Sequence, residues 1–275
     1  MTLTRLLRWS VALVASALCA AAQVPALWHA HSHNDYEHEH PLFDALAQGF
    51  TSVEADIHLQ DGELIVAHSR KQLRPERTLR ALYLEPLRQI IRTNHGRVHL
   101  DRPGFYLMLD YKGDDQLGTG EAIHQKVCEQ LAEYADILTK FDGTNVETKA
   151  VTVTLSGSRP EAMVTQEKQR WWALDGKIEA LQPGIPASLT PWVSLDWADQ
   201  FKWKARAPIT AEEEAKLKVM VGQAHAAGRI IRFWGAPDNE RFWECARRNG
   251  VDLVNTDKLH ELAVWTAAHP ALERP

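Results

Sequence analysis

The sequence predicts an α/β fold built as a single (β/α)8 barrel of the triosephosphate isomerase (TIM) type. Beyond residue 22, short apolar or β-branched runs alternate with longer helical patterns, as in repeated strand–helix units around a parallel sheet. About eight such runs occur, which is the number that closes this kind of barrel. The chain has 275 residues, of which 45% are hydrophobic, enough for one barrel with a substantial core. We therefore expect residues 23–275 to form one barrel domain.

The predicted elements alternate along the whole of this domain. The strands lie at residues 26–31, 51–58, 106–111, 150–155, 170–173, 192–195, 229–234 and 252–255. The helices between them lie at residues 41–48, 79–92, 120–134, 160–169, 211–227 and 239–249. A hairpin over residues 60–68 follows the second strand, because Asp61-Gly62 is a strong turn signal.

Residues 1–22 are typical of a signal peptide. Arg5 and Arg8 precede an apolar run, and the small residues Ala20 to Ala22 follow it. A membrane anchor is the alternative, but it needs about 20 apolar residues and this run has about a dozen. We expect cleavage after Ala22 and export to the periplasm or the medium. The mature chain would keep Cys128 and Cys245, either as one disulfide or as two free thiols.

The charge of the chain excludes one class of partner. The formal net charge is -5 at pH 7, and no basic surface is indicated of the kind that neutralises nucleic-acid phosphates. We therefore expect no nucleic-acid partner. No pattern in the sequence indicates an obligate protein partner.

Carboxylates follow one another on the second predicted strand. Glu54 and Asp56 alternate with apolar neighbours, so the period of two places both on one face, which in a barrel is the lumen. Two buried carboxylates are costly unless a cation lies between them. Carboxylate oxygens suit Mg²⁺ or Ca²⁺, and the sequence does not decide between these ions. We predict one divalent cation at this position.

Further polar residues stand at the ends of neighbouring strands, where TIM barrels carry their active sites. His31 and His33 close the first strand, and His68 closes the hairpin. Asp110 and Lys112 share a face of the third strand, and they offer a third carboxylate and a positive charge for a phosphate oxygen. Histidine suits general acid–base catalysis because its ordinary pKa lies near 6.5.

Residues 43–68 resemble the signature of glycerophosphodiester phosphodiesterases, and residues 228–235 and 250–257 resemble the last two strands of that family. The motifs at residues 32–36 (Ser-His-Asn-Asp-Tyr) and 82–87 (Leu-Tyr-Leu-Glu-Pro-Leu) are more similar to the family named for altered inheritance of mitochondria protein six. That family is a branch of the phospholipase C-like phosphodiesterase superfamily, which includes phosphatidylinositol-specific phospholipase C and sphingomyelinase D. The His-Arg-Gly and Pro-Glu-Asn-Thr signatures of the glycerophosphodiesterases are missing here.

The resemblance implies a role for each residue of the site. His33 and His68 would be the general base and general acid, with Lys112 as a further catalytic group. Whether His31 or His33 is the first catalytic histidine stays open, and we favour His33. The implied metal ligands are Asn34, Glu54, Asp56 and Asp110. The implied substrate contacts are His31 and Trp234. Asp257, at the end of the last strand, is expected to cap the following turn.

These observations predict a metal-dependent phosphoric diester hydrolase that acts on a glycerophosphodiester or a phospholipid headgroup. A transient contact with a membrane surface is compatible with such a substrate. A cyclic phosphate intermediate is implied by the relatives. Two alternatives remain: a metal-dependent hydrolase of the amidohydrolase or polymerase-and-histidinol-phosphatase type, whose metal motif is also His-x-His, and a non-catalytic barrel that binds a lipid headgroup or a glycan.

Overall fold

The computed structural model describes residues 25–113 and 119–270 of the chain. Its strands, numbered in chain order, are β1 (Leu27–Ser32), β2 (Phe50–Gln60), β3 (Glu63–Val66), β4 (Phe105–Tyr111), β5 (Lys140–Asp142), β6 (Asn145–Glu147), β7 (Val151–Gly157), β8 (Gln169–Arg170), β9 (Ala173–Gly176), β10 (Trp192–Asp196), β11 (Ile230–Trp234) and β12 (Val254–Thr256). The predicted signal peptide at residues 1–22 lies outside the described residues.

The barrel wall consists of parallel strands in the order β11-β10-β9-β7-β4-β2-β1-β12. A bridge between Arg232 and Leu253 brings β11 against β12, so the ring is nearly closed. This confirms the predicted eight-stranded barrel. The predicted hairpin is also present, with β3 antiparallel to β2 and Gln60 opposite Glu63.

The α-helices pack around this wall. They are α1 (Phe43–Ala47), α2 (Glu85–Thr93), α3 (Thr119–Ala132), α4 (Glu161–Val164), α5 (Trp197–Gln200), α6 (Ala211–Ala226), α7 (Glu240–Arg248) and α8 (Leu259–Ala268). A π-helical turn at Arg80–Leu84 leads into α2. Among the described residues, no helix is both long enough and apolar enough to cross a lipid bilayer.

The fifth predicted strand, at residues 170–173, is wrong, because these residues span parts of two separate strands. Arg170 belongs to β8, which pairs with β5 in a small antiparallel sheet that also includes β6. The barrel strand is β9, which begins at Ala173. The Trp171-Trp172 pair made the earlier segment look more strand-like, since aromatic residues favour strands whereas Asp175 and Gly176 do not. The helix predicted at residues 160–169 is shorter in the structure, where α4 covers only Glu161–Val164. Gln169 already belongs to a strand, in which it pairs with Asp142.

Side chains fill the lumen in layers along its axis. The lowest layer is apolar and includes Met108, Trp192 and Leu253. Two residues further along each strand the side chains are polar, as at Arg232 and Ser194, which hydrogen-bond each other. Because successive lumen-facing residues are two positions apart, the polar layers lie toward the C-terminal ends of the strands. The apolar layer closes the bottom of the barrel, and polar groups concentrate at its mouth.

Candidate functional site

A cavity of about 570 Å³ opens at the C-terminal ends of the barrel strands. Several of the predicted site residues line it, and they come from different elements. The lining includes His33, Glu54, Asp110, Lys112 and Trp234. Asn34, Asp56 and His68 do not line this cavity but are joined to it by the hydrogen bonds described below.

Glu54 lies in a buried network with His31 and Arg232. Arg232 Nη1 donates to Glu54 Oε2 at 2.9 Å and to Asn255 Oδ1 at 2.9 Å. His31 Nε2 lies 3.1 Å from Glu54 Oε2. Burial raises the pKa of Glu54, but the contact with His31 and the charge of Arg232 outweigh it, so the pKa lies well below its usual range. Glu54 is therefore an anion balanced by Arg232.

His31 lies beneath this anion and is 0% exposed. Its Nδ1 atom lies 2.7 Å from the Ser52 hydroxyl, so both ring nitrogens face protein groups. Burial and the neighbouring Arg232 lower the pKa of His31 to about 3. The 3.1 Å contact between His31 and Glu54 therefore involves a neutral ring and is not an ion pair. The predicted contact of His31 with substrate stays a prediction, and burial restricts it to an indirect one.

His33 has a carboxylate partner, Asp257, for which the sequence predicted a capping role. Its Nδ1 atom lies 2.8 Å from Asp257 Oδ1. Burial lowers the pKa of His33, but the hydrogen bond to Asp257 and the charge of Glu54 outweigh that effect, and the net pKa is raised. The expected capping role of Asp257 is wrong, because α8 begins after Lys258 and has no side-chain cap. Asp257 faces the site, where it can orient the His33 ring.

A lysine joins the carboxylates at the ends of β2 and β4. Lys112 Nζ lies 2.9 Å from Asp56 Oδ2 and 2.6 Å from Asp110 Oδ2, and Asp56 and Asp110 are register partners across the two strands. The two carboxylates raise the pKa of Lys112 despite its partial burial. Burial raises the pKa of Asp56 to about 6, although Lys112 and Tyr36 act in the opposite direction. Lys112 is therefore the positive charge of this part of the site.

Tyr36 connects the first loop to the hairpin. Its hydroxyl lies 2.7 Å from Asp56 Oδ2, 2.8 Å from Asn34 Oδ1 and 3.2 Å from His68 Nδ1. His68 Nδ1 also lies 3.2 Å from Asp56 Oδ2, and its side chain is 56% exposed. Asn34 adopts left-handed backbone angles, with φ of 46°, which asparagine tolerates better than most residues. Tyr36 was not predicted, although it lies in the quoted motif at residues 32–36.

The proposed metal ligands fit a hard divalent cation by their chemistry, since they are three carboxylates and one amide oxygen. One of these oxygens, Asp56 Oδ1, is buried and has no hydrogen-bond partner. Arg232 and Lys112 already pair with the carboxylates, so charge balance alone does not require a metal. An ion between Asp56 and Asp110 would have to displace Lys112 Nζ. The metal-ligand roles of these residues stay predictions.

Sequence reasoning missed several charged residues that line the cavity, among them Asp175 and Arg232. Asp175 is buried at the end of β9, where Ser156 Oγ donates to it at 3.3 Å, and burial raises its pKa. The misplaced fifth strand concealed this residue. Arg232 lies two residues before Trp234 on β11, so the two side chains share the lumen-facing side of the strand. This alternation could have identified Arg232 from the sequence. Trp234 is 44% exposed and stands in register with Asp196, and its predicted role in substrate binding stays a prediction.

Both cysteines of the described chain are free thiols, Cys128 partly buried and Cys245 buried. Of the two states that the sequence left open, the structure therefore has the unpaired one. Outside the cavity, His124, Cys128 and Glu167 bring three ligand atoms within 4.8 Å of one another. This group was not predicted.

The protein is an eight-stranded parallel barrel with histidines and carboxylates around a cavity at its strand ends, and its family match makes it a phosphodiesterase-type barrel. Residues 21–173 match the family described as the AIM6-like phosphodiesterase domain. This match covers more than half of the chain, so the chain belongs to that family. The resemblance to the family of altered inheritance of mitochondria protein six is thereby confirmed.

Curated relatives are similar over most of this chain. The chain is 29% identical over 271 residues to "Altered inheritance of mitochondria protein 6" of Eremothecium gossypii, with 86% of this chain and 69% of the relative covered. It is 27% identical to the protein of the same name from Saccharomyces cerevisiae (strain YJM789), with 84% and 66% covered. It is 26% identical to the homolog from Arthroderma benhamiae, with 84% and 81% covered.

Proposed function

We propose that this protein is a metal-dependent phosphoric diester hydrolase that acts on a glycerophosphodiester or a phospholipid headgroup. The observation that carries the proposal is that two histidines each have a carboxylate next to Nδ1. Nδ1 of His33 lies 2.8 Å from Asp257, and Nδ1 of His68 lies 3.2 Å from Asp56. A carboxylate on Nδ1 orients the ring and leaves Nε2 for proton exchange with a substrate.

In this proposal His33 is the general base and His68 is the general acid for the leaving alcohol. The substrate phosphate lies between them, and Lys112 and Arg232 supply positive charge as negative charge builds on the phosphoryl oxygens. Trp234 would contact the alcohol portion of the substrate. A hydroxyl group of the substrate itself is the proposed nucleophile, which would produce a cyclic phosphate.

A single Mg²⁺ or Ca²⁺ ion held by Asn34, Glu54, Asp56 and Asp110 would neutralise a phosphoryl oxygen. The unpartnered Asp56 Oδ1 atom supports this part of the proposal, and the position of Lys112 requires that its side chain moves. Export of the protein, transient contact with a membrane surface and the absence of nucleic-acid or obligate protein partners also stay proposals.

The test is release of product from a panel of glycerophosphodiesters and phospholipid-headgroup diesters, followed by ³¹P NMR. We expect turnover by the purified protein to stop with EDTA and to return with Mg²⁺ or Ca²⁺. His68→Ala should lower kcat by about 10²- to 10⁴-fold, as expected for loss of a general acid. A cyclic phosphate should be visible at early times, and a ring-opened product from the first time point would exclude the substrate hydroxyl as nucleophile.

The matched control is His95→Asn. His95 is exposed in the turn after α2, at the end of the barrel opposite the cavity, and its φ of 54° suits asparagine. This variant should keep full activity. Turnover that survives His68→Ala would contradict the assigned mechanism, and no turnover of any diester would favour a binding role instead.

A further inference from the structure

We propose that His124, Cys128 and Glu167 form a second, separate metal site that binds a borderline transition-metal ion, Zn²⁺ by preference. None of the three residues lines the cavity or contacts the proposed catalytic groups. The second metal site is therefore independent of the proposed hydrolase function.

The three side chains converge from two segments. His124 and Cys128 are four residues apart on α3, so they lie on the same face of the helix. Glu167 comes from the connection between α4 and β8. His124 Nε2 lies 2.7 Å from Glu167 Oε1 and 3.5 Å from Cys128 Sγ, and Sγ lies 3.8 Å from Glu167 Oε2.

These separations are close to those of a tetrahedral zinc site. Zinc bonds of about 2.0 Å to nitrogen and oxygen and 2.3 Å to sulfur place the ligand atoms about 3.3–3.6 Å apart. The distance from Nε2 to sulfur already has this value. The distance of 2.7 Å from Nε2 to Glu167 Oε1 is shorter, so this oxygen would have to move away from Nε2 by about 0.6 Å. The Glu167 side chain is 32% exposed.

The surroundings of His124 support metal binding through Nε2. The imidazole is almost fully buried, and its Nδ1 atom lies 3.1 Å from the Tyr111 hydroxyl. A second hydrogen bond of this kind is what holds metal-binding histidines in one tautomer. Trp172 packs edge-on against the ring with a centroid separation of 5.3 Å. The ring is therefore oriented before any ion arrives.

The mixture of ligand atoms selects the class of metal. A thiolate and an imidazole favour Zn²⁺ over Mg²⁺ or Ca²⁺, which prefer oxygen alone. Three protein ligands leave a fourth position for water. The ion would join α3 to the segment that precedes β8 and β9. Through His124 it would also fix the position of Tyr111, which hydrogen-bonds to His124 Nδ1 and is the neighbour of Lys112. We assign it a stabilising role on this basis.

The experiment titrates Co²⁺ and Zn²⁺ into the chelator-treated full chain. We expect one Zn²⁺ per chain by elemental analysis, a higher Tm with Zn²⁺, and a Co²⁺ complex with visible bands of four-coordinate cobalt and a thiolate charge-transfer band. Cys128→Ser should abolish the charge-transfer band. Cys245→Ser, which changes the other cysteine of the described chain, should keep it.

A charge-transfer band that persists in Cys128→Ser would overturn the proposal, and so would Zn²⁺ that leaves the Tm unchanged. If Cys128→Ser does not fold, Glu167→Gln serves as the second variant, because its side chain is partly exposed. We expect it to weaken Zn²⁺ binding by about tenfold or more, and unchanged binding would count against the site.

Discussion

At the scale of single residues, the candidate site consists of charges that are paired across the chain. Asp257 holds His33, and Arg232 balances Glu54. Each pair changes what its members can do: the carboxylate favours the protonated form of His33, and the guanidinium keeps Glu54 ionised. The proposed chemistry therefore depends on these partners as much as on the proposed catalytic groups.

Removal of the Asp257 charge should shift the pH profile of the proposed hydrolase activity. The carboxylate raises the pKa of His33, so Asp257→Asn lowers this pKa. The limb of the kcat/KM profile that belongs to His33 should move to lower pH. The measurement is kcat/KM against pH for a diester that the protein cleaves.

Asp61→Asn is the control for this shift, since Asp61 lies in the exposed turn between β2 and β3 and its φ of 51° accommodates asparagine. Its pH profile should match that of the unchanged protein. If Asp257→Asn leaves both limbs in place, His33 is not the titrating group.

At the scale of elements, the buried carboxylate of Asp35 stabilises the loop that follows His31 and His33. Asp35 accepts hydrogen bonds from Ser32 Oγ at 2.8 Å, from the Leu42 amide at 2.6 Å and from the Tyr83 hydroxyl at 2.9 Å. The hydrogen bond between Asp35 and Tyr83 joins the motif at residues 32–36 to the motif at residues 82–87. The loop between β1 and α1 is thereby tied to the helical segment before α2.

Asp35→Ala should destabilise the protein by about 3 kcal/mol, because three buried donors lose a charged partner. Asp44→Ala is the comparison, since Asp44 is a half-exposed carboxylate at the start of α1 with a hydrogen bond to the His40 amide. It should cost less than about 1 kcal/mol. Urea unfolding of both variants measures these values, and equal costs would show that the buried contacts contribute little.

The last residue of β7, Gly157, lies in close contact with the end of β4. A Cβ atom at Gly157 would lie 2.5 Å from the Tyr111 carbonyl oxygen and 2.8 Å from Asp110 Oδ1. Gly157→Ala should therefore displace Asp110 and lower activity by about tenfold or more, in addition to the cost of a left-handed backbone.

Gly143→Ala separates these two effects. Gly143 also has a positive φ, of 60°, but a Cβ there meets nothing within 4 Å. Both variants should lose stability, whereas only Gly157→Ala should lose diester hydrolysis. Equal activity of the two variants would exclude the contact with Asp110 as a requirement.

At the scale of the whole molecule, the barrel interior combines an apolar layer with a buried polar layer above it. His31 lies in the polar layer and stays neutral, because burial and Arg232 lower its pKa to about 3. In the unfolded chain the same imidazole takes up a proton near its ordinary pKa of about 6.5. Acid therefore favours the unfolded state, and stability rises with pH between these two values.

The contribution of His31 should appear as a slope of about 1.4 kcal/mol per pH unit in the free energy of unfolding between about pH 6 and pH 5. His58 and His99 also have lowered pKa values, so the difference between the unchanged protein and His31→Gln is the informative quantity. Urea unfolding at several pH values measures it. If His31→Gln shows the same slope as the unchanged protein, the lowered pKa of His31 is not the cause of this pH dependence.

Much of this protein was determined by local patterns in the sequence. The alternation around Glu54 and Asp56 placed both carboxylates on a lumen-facing strand, and the turn at Asp61-Gly62 placed the hairpin that presents His68. These features depend on residues that are neighbours in the chain, so they can be predicted from the local sequence pattern. The strand from Ala173 was missed because its barrel position depends on pairing with β7 and β10, and not on its own composition.

Only the tertiary structure decided how the charges pair. Arg232 and Glu54 are 178 residues apart in sequence, and His33 and Asp257 are 224 residues apart. Closure of the barrel brings such residues together, and no local pattern records which partners meet across the lumen. The same holds for Lys112, whose place between two carboxylates follows from the register of β2 and β4. The sequence determined which chemical groups reach the mouth of the barrel, and the fold determined which of them neutralise one another, because charge pairing depends on distance in space and not along the chain.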